Sequence, residues 1–128
     1  MEWDLLALIA AGGALGSLGR WGLAQALPAD PLAWGTLSAN ILGCALLGCL
    51  LTVLADRVVD TRRWRAFAGV GVLGGFTTFS TAMGDAHALL RDGEVPLAVA
   101  EIGLGVGAGL LAVLAGITVT RHALGARR

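Results

Sequence analysis

Four long apolar segments separated by short polar links dominate the pattern along this chain. A helix needs about 20 apolar residues to cross a lipid bilayer, and each segment is long enough to do so. The segments cover residues 5–27, 32–55, 66–90 and 97–120. The pattern predicts an all-α membrane protein in which residues 1–128 form a single domain of four transmembrane helices.

The third apolar segment contains an unusual octapeptide at residues 74–81, Gly-Gly-Phe-Thr-Thr-Phe-Ser-Thr. Backbone groups that leave a helix inside a bilayer must find partners within the protein, and broken helices at that depth usually form binding or permeation sites. We therefore predict that the third helix is broken near the membrane centre. Its freed carbonyl and hydroxyl oxygens are expected to hold an ion.

Other polar side chains lie within the apolar segments. Thr36 and Asn40 are four residues apart and share one face of the second helix. The Asn40 amide either bonds to a neighbouring helix or donates to an anion, because an unpaired amide is costly in lipid. Arg20 either extends to the membrane surface or attracts anions electrostatically. Glu101 and Asp85 are interpreted as groups close to the membrane surface.

Composition and motifs exclude several classes of protein. The chain is 56% apolar and only 14% charged with a net charge of zero, which gives no indication of nucleic-acid binding. A G-x-G-x-x-G match begins at Gly69, but no strand precedes it as a dinucleotide site requires. Cys44 and Cys49 lie on different sides of one helix and cannot pair. No catalytic or metal-binding constellation is visible, so the chain is predicted not to be an enzyme.

The arginine distribution predicts the orientation of the chain in the membrane. The amino terminus, the second link and the carboxyl terminus must share one side, and short loops rich in arginine stay in the cytoplasm. That side holds Arg57, Arg62, Arg63, Arg65, Arg121, Arg127 and Arg128, whereas the other side holds Arg20 and Arg91. Both termini are therefore predicted to be cytoplasmic, with the chain spanning the cell membrane several times.

Taken together, the motifs resemble those of the small bacterial fluoride channels, the family often called Fluc or CrcB. The likeness rests on residues 12–21 (Gly-Gly-x-x-Gly-Ser-x-x-Arg-Trp), on residues 35–43 (Gly-Thr-Leu-x-Ala-Asn-Ile-x-Gly), on the octapeptide and on the four-span layout. The resemblance covers nearly the whole chain. It implies a fluoride-selective channel that exports fluoride passively and so relieves fluoride toxicity.

The resemblance also implies an assembly and a set of site residues. The family forms antiparallel dimers with two fluoride pathways and a structural sodium ion held by backbone carbonyls, which fall here on Gly74 and Thr77. An aromatic ring has an electropositive edge that suits a small anion. The residues assigned to the fluoride pathway on this basis are Asn40, Phe79, Thr36, Thr78, Ser80 and Arg20.

Two positions depart from the family pattern. Ala82 stands where the family usually has a second aromatic ring, and Gly109 stands where its fourth helix usually has a serine. Both changes remove expected fluoride contacts from one pathway. Because the arginine asymmetry favours one orientation, the antiparallel partner is expected to be a homologous subunit of opposite orientation rather than a second copy of this chain.

Two other functions fit the size and the number of spans. One is a small proton-coupled exporter of cations or drugs, which would need a carboxylate embedded in the membrane. The other is a structural membrane subunit with no transport of its own, against which the threonine-rich octapeptide argues. Fluoride efflux from liposomes would separate these alternatives.

Overall fold

The computed structural model describes residues 2–56 and 61–125. Arg57, Arg127 and Arg128, which contribute to the orientation argument, lie outside the described residues. Five helical units follow one another within these residues. We label them α1 (Trp3–Ala26), α2 (Trp34–Ala55), α3 (residues 62–76), α4 (Phe79–Arg91) and α5 (Val95–Gly125).

Four helical stretches are long and apolar enough to cross a membrane, counting α3 and α4 together as one stretch from Arg62 to Arg91. This confirms the prediction of an all-helical chain with four membrane-spanning segments. The apolar residues are spread around the helices rather than restricted to one stripe, and large side chains such as Trp21 and Leu111 are more than 60% exposed. Such a surface is typical of helices that face lipid or another membrane subunit.

α3 is not a uniform α-helix. It begins with one turn at Arg62–Trp64, continues as a π-helical segment over Arg65–Leu73 and ends with an α-helical turn at Gly74–Phe76. In the π-helical form each backbone amide bonds five residues back, so the turns are wider than those of an α-helix. The wide segment directly precedes the octapeptide.

The helices form two tightly packed pairs, α1 with α3 and α2 with α5. At Gly16 a Cβ atom would collide with the Val72 carbonyl oxygen of α3, and at Gly116 one would collide with the Ala45 carbonyl oxygen of α2. Only glycine allows backbones to approach so closely, as is common between helices in membranes. These contacts fix the octapeptide, at the end of α3, between the two pairs.

Ion pairs tie the beginnings of α1 and α3 together. Arg63 Nη2 lies 3.0 Å from Asp4 Oδ2, and Arg62 pairs with Glu2 in the same way. Both pairs are exposed, so each contributes little to the free energy of folding. Their location places the amino terminus and the second link at the same end of the bundle.

Candidate functional site

Two extended residues, Thr77 and Thr78, connect the end of α3 to the start of α4. Their backbone angles are φ −87°, ψ 152° and φ −151°, ψ 122°, both in the β region. Thr78 is also the N-cap of α4, because its Oγ1 accepts a hydrogen bond of 3.2 Å from the Thr81 amide. We call these two residues the Thr77–Thr78 connection.

The Asn40 side chain of α2 holds this connection in place. Its Oδ1 accepts a hydrogen bond from the Thr78 amide at 2.7 Å, and its Nδ2 donates to the Thr78 carbonyl at 2.9 Å. A primary amide thus satisfies both backbone groups of one extended residue. Of the two roles considered for Asn40, the structure gives it the interhelical bond, while the second Nδ2 hydrogen remains for another acceptor.

Gly74 and Thr77 both have carbonyls that lose their usual helical donors. In a continuous helix the Thr78 amide would bond to the Gly74 carbonyl and the Thr81 amide to the Thr77 carbonyl. The Thr78 amide instead donates to Asn40, and the Thr81 amide donates to Thr78 Oγ1. Gly74 and Thr77 are therefore among the residues at the end of α3 whose carbonyls have no helical donor.

Arg20 and Ser17 of α1 both donate to the Gly75 carbonyl. Arg20 Nε lies 3.2 Å from this oxygen and Ser17 Oγ lies 3.5 Å from it. The α1 side chains therefore satisfy the carbonyl next to Gly74. The structure places Arg20 at the contact between α1 and α3, away from the cavity between α2, α4 and α5.

A cavity of about 320 Å³ lies where α2, α4 and α5 meet the end of α3. Its walls combine a few polar groups with apolar ones. Among the described residues, its wall includes Asn40, Gly74, Thr77, Thr78, Phe79, Ala82 and Glu101. The Phe79 ring is 72% exposed, so it presents an edge that is not packed into the core. Five of the predicted site residues are thus gathered around one cavity.

Thr36 and Ser80 take positions next to this cavity rather than in its wall. Thr36 is buried, and its Oγ1 donates a 2.8 Å hydrogen bond to Asp85 Oδ2 on α4. Ser80 is exposed, with its Oγ 3.4 Å from Thr78 Oγ1. Asp85 is thus partly buried and paired with a hydroxyl group.

Sequence reasoning missed the environment of Glu101. Its side chain is only 1% exposed, and its Oε2 accepts a 3.2 Å hydrogen bond from the Ala33 amide at the beginning of α2. The side chain is therefore enclosed by the protein and bound at the beginning of α2, and it does not extend into solvent. A signal was present, because Glu101, Gly105 and Gly109 recur every four residues on the face of α5 that packs against α2.

The architecture defines a four-span helical membrane protein with a cavity, lined by a few polar groups, beside an extended connection in its third span. Residues 7–117 match the family described as CrcB-like protein, Camphor Resistance (CrcB). The chain belongs to this family, as its motifs suggested.

Several relatives are similar to this chain over nearly its whole length. The fluoride-specific ion channel FluC 2 of Thermobifida fusca (strain YX) is 50% identical over 127 residues, covering 94% of this chain and 92% of the relative. The fluoride-specific ion channel FluC of Rhizobium meliloti (strain 1021) is 43% identical over 119 residues, covering 89% and 94%. These relatives are named as channels rather than enzymes, in agreement with the non-enzymatic function predicted.

Proposed function

We propose that this protein is a fluoride-selective channel that lets fluoride leave the cytoplasm passively and thereby relieves fluoride toxicity. The observation that carries the proposal is the cavity beside the Thr77–Thr78 connection, in a chain 50% identical to a protein named as a fluoride-specific channel. An anion that leaves water needs donors that replace its hydration. The cavity offers the second hydrogen of Asn40 Nδ2 and the electropositive edge of Phe79.

Fluoride passes from Ser80, next to the cavity, along the wall formed by Thr78, Asn40 and Phe79. The hydroxyls of Thr78, Ser80 and Thr81 are clustered, with Thr78 Oγ1 2.9 Å from Thr81 Oγ1. Hydroxyl groups can rotate to donate to a passing anion. Thr36 holds α4 against α2 through its hydrogen bond to Asp85, which stabilises the wall of the pathway. Arg20 lies on the α1 side, where its positive charge attracts the anion.

A structural sodium ion binds to the Gly74 and Thr77 carbonyls at the break in the third helix, which we place near the membrane centre. Support comes from the redirected amides of Thr78 and Thr81, which leave these oxygens without helical donors. Hard cations such as sodium prefer oxygen ligands. One chain provides two carbonyls, so two antiparallel copies of the break would provide about four, as in carbonyl-lined selectivity filters.

The proposed dimer covers the polar surface around the break. Gly74, Phe79, Ser80 and Thr81 are exposed in the single chain. Lipid cannot satisfy hydroxyl and carbonyl groups, so this surface requires water or protein. We assign it to an antiparallel partner, and the arginine asymmetry favours a homologous subunit of opposite orientation. The termini of this subunit then lie in the cytoplasm.

The experiment that tests the function is fluoride efflux from liposomes that contain the purified protein, followed with a fluoride electrode. A channel gives rapid efflux of fluoride and no comparable efflux of chloride. The protein is reconstituted both alone and together with a homologous subunit of opposite predicted orientation. If neither preparation releases fluoride faster than protein-free liposomes, the proposal is wrong.

A proton-coupled exporter of cations or drugs is the second candidate, favoured by one observation. Glu101 is a buried carboxyl group within the fourth apolar helix, and such an exporter needs a carboxylate embedded in the membrane. A coupled exporter would use an imposed pH gradient to move a cationic dye against its concentration gradient. Our proposal expects no dye movement and expects fluoride flux when the pH is equal on both sides.

A further inference from the structure

One carboxyl oxygen of Glu101 is hydrogen-bonded to the backbone, and the other has no partner among the described residues. Oε2 accepts the hydrogen bond from the Ala33 amide at 3.2 Å, at the position where α2 has no side-chain cap of its own. Oε1 is buried and has no hydrogen-bond partner within the part of the chain that the structure describes. A buried polar atom without a partner is unusual, and at a functional site it often indicates a missing ligand or proton.

The groups around Glu101 favour a proton on this free oxygen. α5 packs against α2 and α4. At the end of α2 near Glu101, the Ala33 amide donates to Oε2 and Thr36 donates to Asp85 of α4, and Cys44 of α2 shares the wall of the same cavity. No arginine or histidine among the described residues forms an ion pair with Glu101. A buried carboxyl group without a paired cation is costly to ionise in a medium of low dielectric constant.

We propose that Glu101 is a titratable hydrogen-bonding residue of the fluoride pathway, with a proton on Oε1 while the pathway conducts. The inference rests on the proposed function as a fluoride channel. Glu101 lies in the wall of the same cavity as Asn40 and Phe79. A carboxylic acid kept neutral by its surroundings donates a strong hydrogen bond, which an anion accepts in place of water.

Loss of this proton closes the pathway. Because Oε1 is buried, the side chain must turn towards the cavity, where water takes the proton and the O–H electron pair stays on Oε1. The resulting carboxylate carries a negative charge where a second negative ion must pass, and repulsion is strong in a site with little water. The N-cap bond of Oε2 to Ala33 persists in both states, so the fold of α2 does not depend on the proton.

The test compares the protein with Glu101→Gln, Glu101→Leu and Glu94→Gln in liposomes with equal pH on both sides. Gln has nearly the same shape as Glu, and its carbonyl oxygen can accept the hydrogen bond from the Ala33 amide. Its NH₂ group is a donor that cannot ionise, whereas Leu has neither an acceptor nor a donor. Glu94→Gln is the matched control, because Glu94 is exposed at the start of α5. Fluoride efflux is measured from about pH 6 to about pH 9, a range in which a buried carboxyl group can titrate.

We expect efflux through the unaltered protein and the Glu94→Gln variant to fall about tenfold as the pH rises, as one ionisation can produce. Efflux through Glu101→Gln stays near the value of the unaltered protein at low pH and does not change with pH, and efflux through Glu101→Leu is low throughout. A flat profile for the unaltered protein, or a Gln variant that assembles but does not conduct, overturns the proposal.

Two further results are decisive. If Glu101→Leu does not assemble by size-exclusion chromatography, the comparison of Glu101→Gln with the unaltered protein still decides the question, because Gln preserves the cap of α2. Absence of fluoride efflux from the unaltered protein at every pH contradicts the channel function itself. A conducting protein with a flat pH profile contradicts only the role of Glu101.

Discussion

Asn40 and Thr78 form two reciprocal hydrogen bonds, in which the Asn40 side-chain amide pairs with the Thr78 backbone as a neighbouring strand would. Asn40 Oδ1 lies 2.7 Å from the Thr78 nitrogen, and Asn40 Nδ2 lies 2.9 Å from the Thr78 oxygen. The pair joins α2 to the Thr77–Thr78 connection and satisfies both backbone groups of an extended residue within an apolar bundle. Asn40 therefore stabilises the local structure and also contributes a donor to the cavity.

Replacing Asn40 by Leu is expected to damage both roles. The change leaves the Thr78 amide and carbonyl without partners, at a cost of about 1–3 kcal/mol for each buried group. Fluoride efflux should fall at least about tenfold, and the melting temperature in detergent should decrease. Asn40→Asp is the control, since it retains an acceptor for the Thr78 amide but not the donor. Unchanged efflux and melting temperature for Asn40→Leu would contradict the role assigned to Asn40.

Phe79 is expected to affect transport without affecting stability. Its ring is 72% exposed, so Phe79→Ile removes little packing from the core but eliminates an electropositive edge from the cavity wall. Efflux should decrease about tenfold while thermal unfolding is unchanged. Leu110→Ile is a suitable control, because Leu110 is 64% exposed on α5 and lies outside the cavity wall. Equal efflux through the Phe79→Ile and Leu110→Ile variants would contradict the assignment of Phe79 to the fluoride pathway.

A matched pair of glycine substitutions tests the contact between α1 and α3. Gly16→Ala places a methyl group against the Val72 carbonyl, whereas Gly22→Ala places one in open space. We expect Gly16→Ala to lower the free energy of unfolding by about 1–3 kcal/mol, the usual cost of overpacking. Gly22→Ala should be neutral or slightly stabilising, because alanine favours helix. Denaturant unfolding followed by tryptophan fluorescence measures both, and equal effects would argue against the close contact.

Removal of sodium tests the proposed cation site. If the Gly74 and Thr77 carbonyls hold a sodium ion, purification and reconstitution with a large organic cation should lower fluoride efflux, and restoring sodium should recover it. A bulky cation cannot fit between carbonyls that bind a dehydrated sodium ion. Protein-free liposomes control for effects of the cation on the membrane. Efflux that is identical in both media would indicate that these carbonyls serve helix geometry alone.

The number of spans could be predicted from the sequence because the length of an apolar segment is a local property. The octapeptide was also recognisable, since glycine and threonine are unusual at such density in a membrane helix. The environments of Arg20 and Glu101 were not predictable in the same way. Whether a charged side chain reaches the membrane surface or the interior depends on which helix faces it. Here Gly75 faces Arg20, and the beginning of α2 faces Glu101.

The π-helical form of Arg65–Leu73 likewise could not be predicted from the sequence. Nothing in the order of its residues distinguishes five-residue from four-residue backbone bonds. The segment packs closely against α1, where a Cβ atom at Gly12 would collide with the Phe67 carbonyl oxygen. Such contacts between segments distant in sequence are not visible in the order of residues within one segment.

The wide turns of Arg65–Leu73 change the angle around the helix axis at which the later residues of the third span lie. Each residue of an α-helix advances the chain by about 100°, so a segment that accommodates an additional residue per turn changes the angle at which later residues emerge. Deleting one residue from this segment would rotate Gly74 and Thr77 by about that angle relative to Arg62 and Arg63. The carbonyls of the Thr77–Thr78 connection would then face a different direction while the loops stayed in place, so the length of this segment matters as much as its composition.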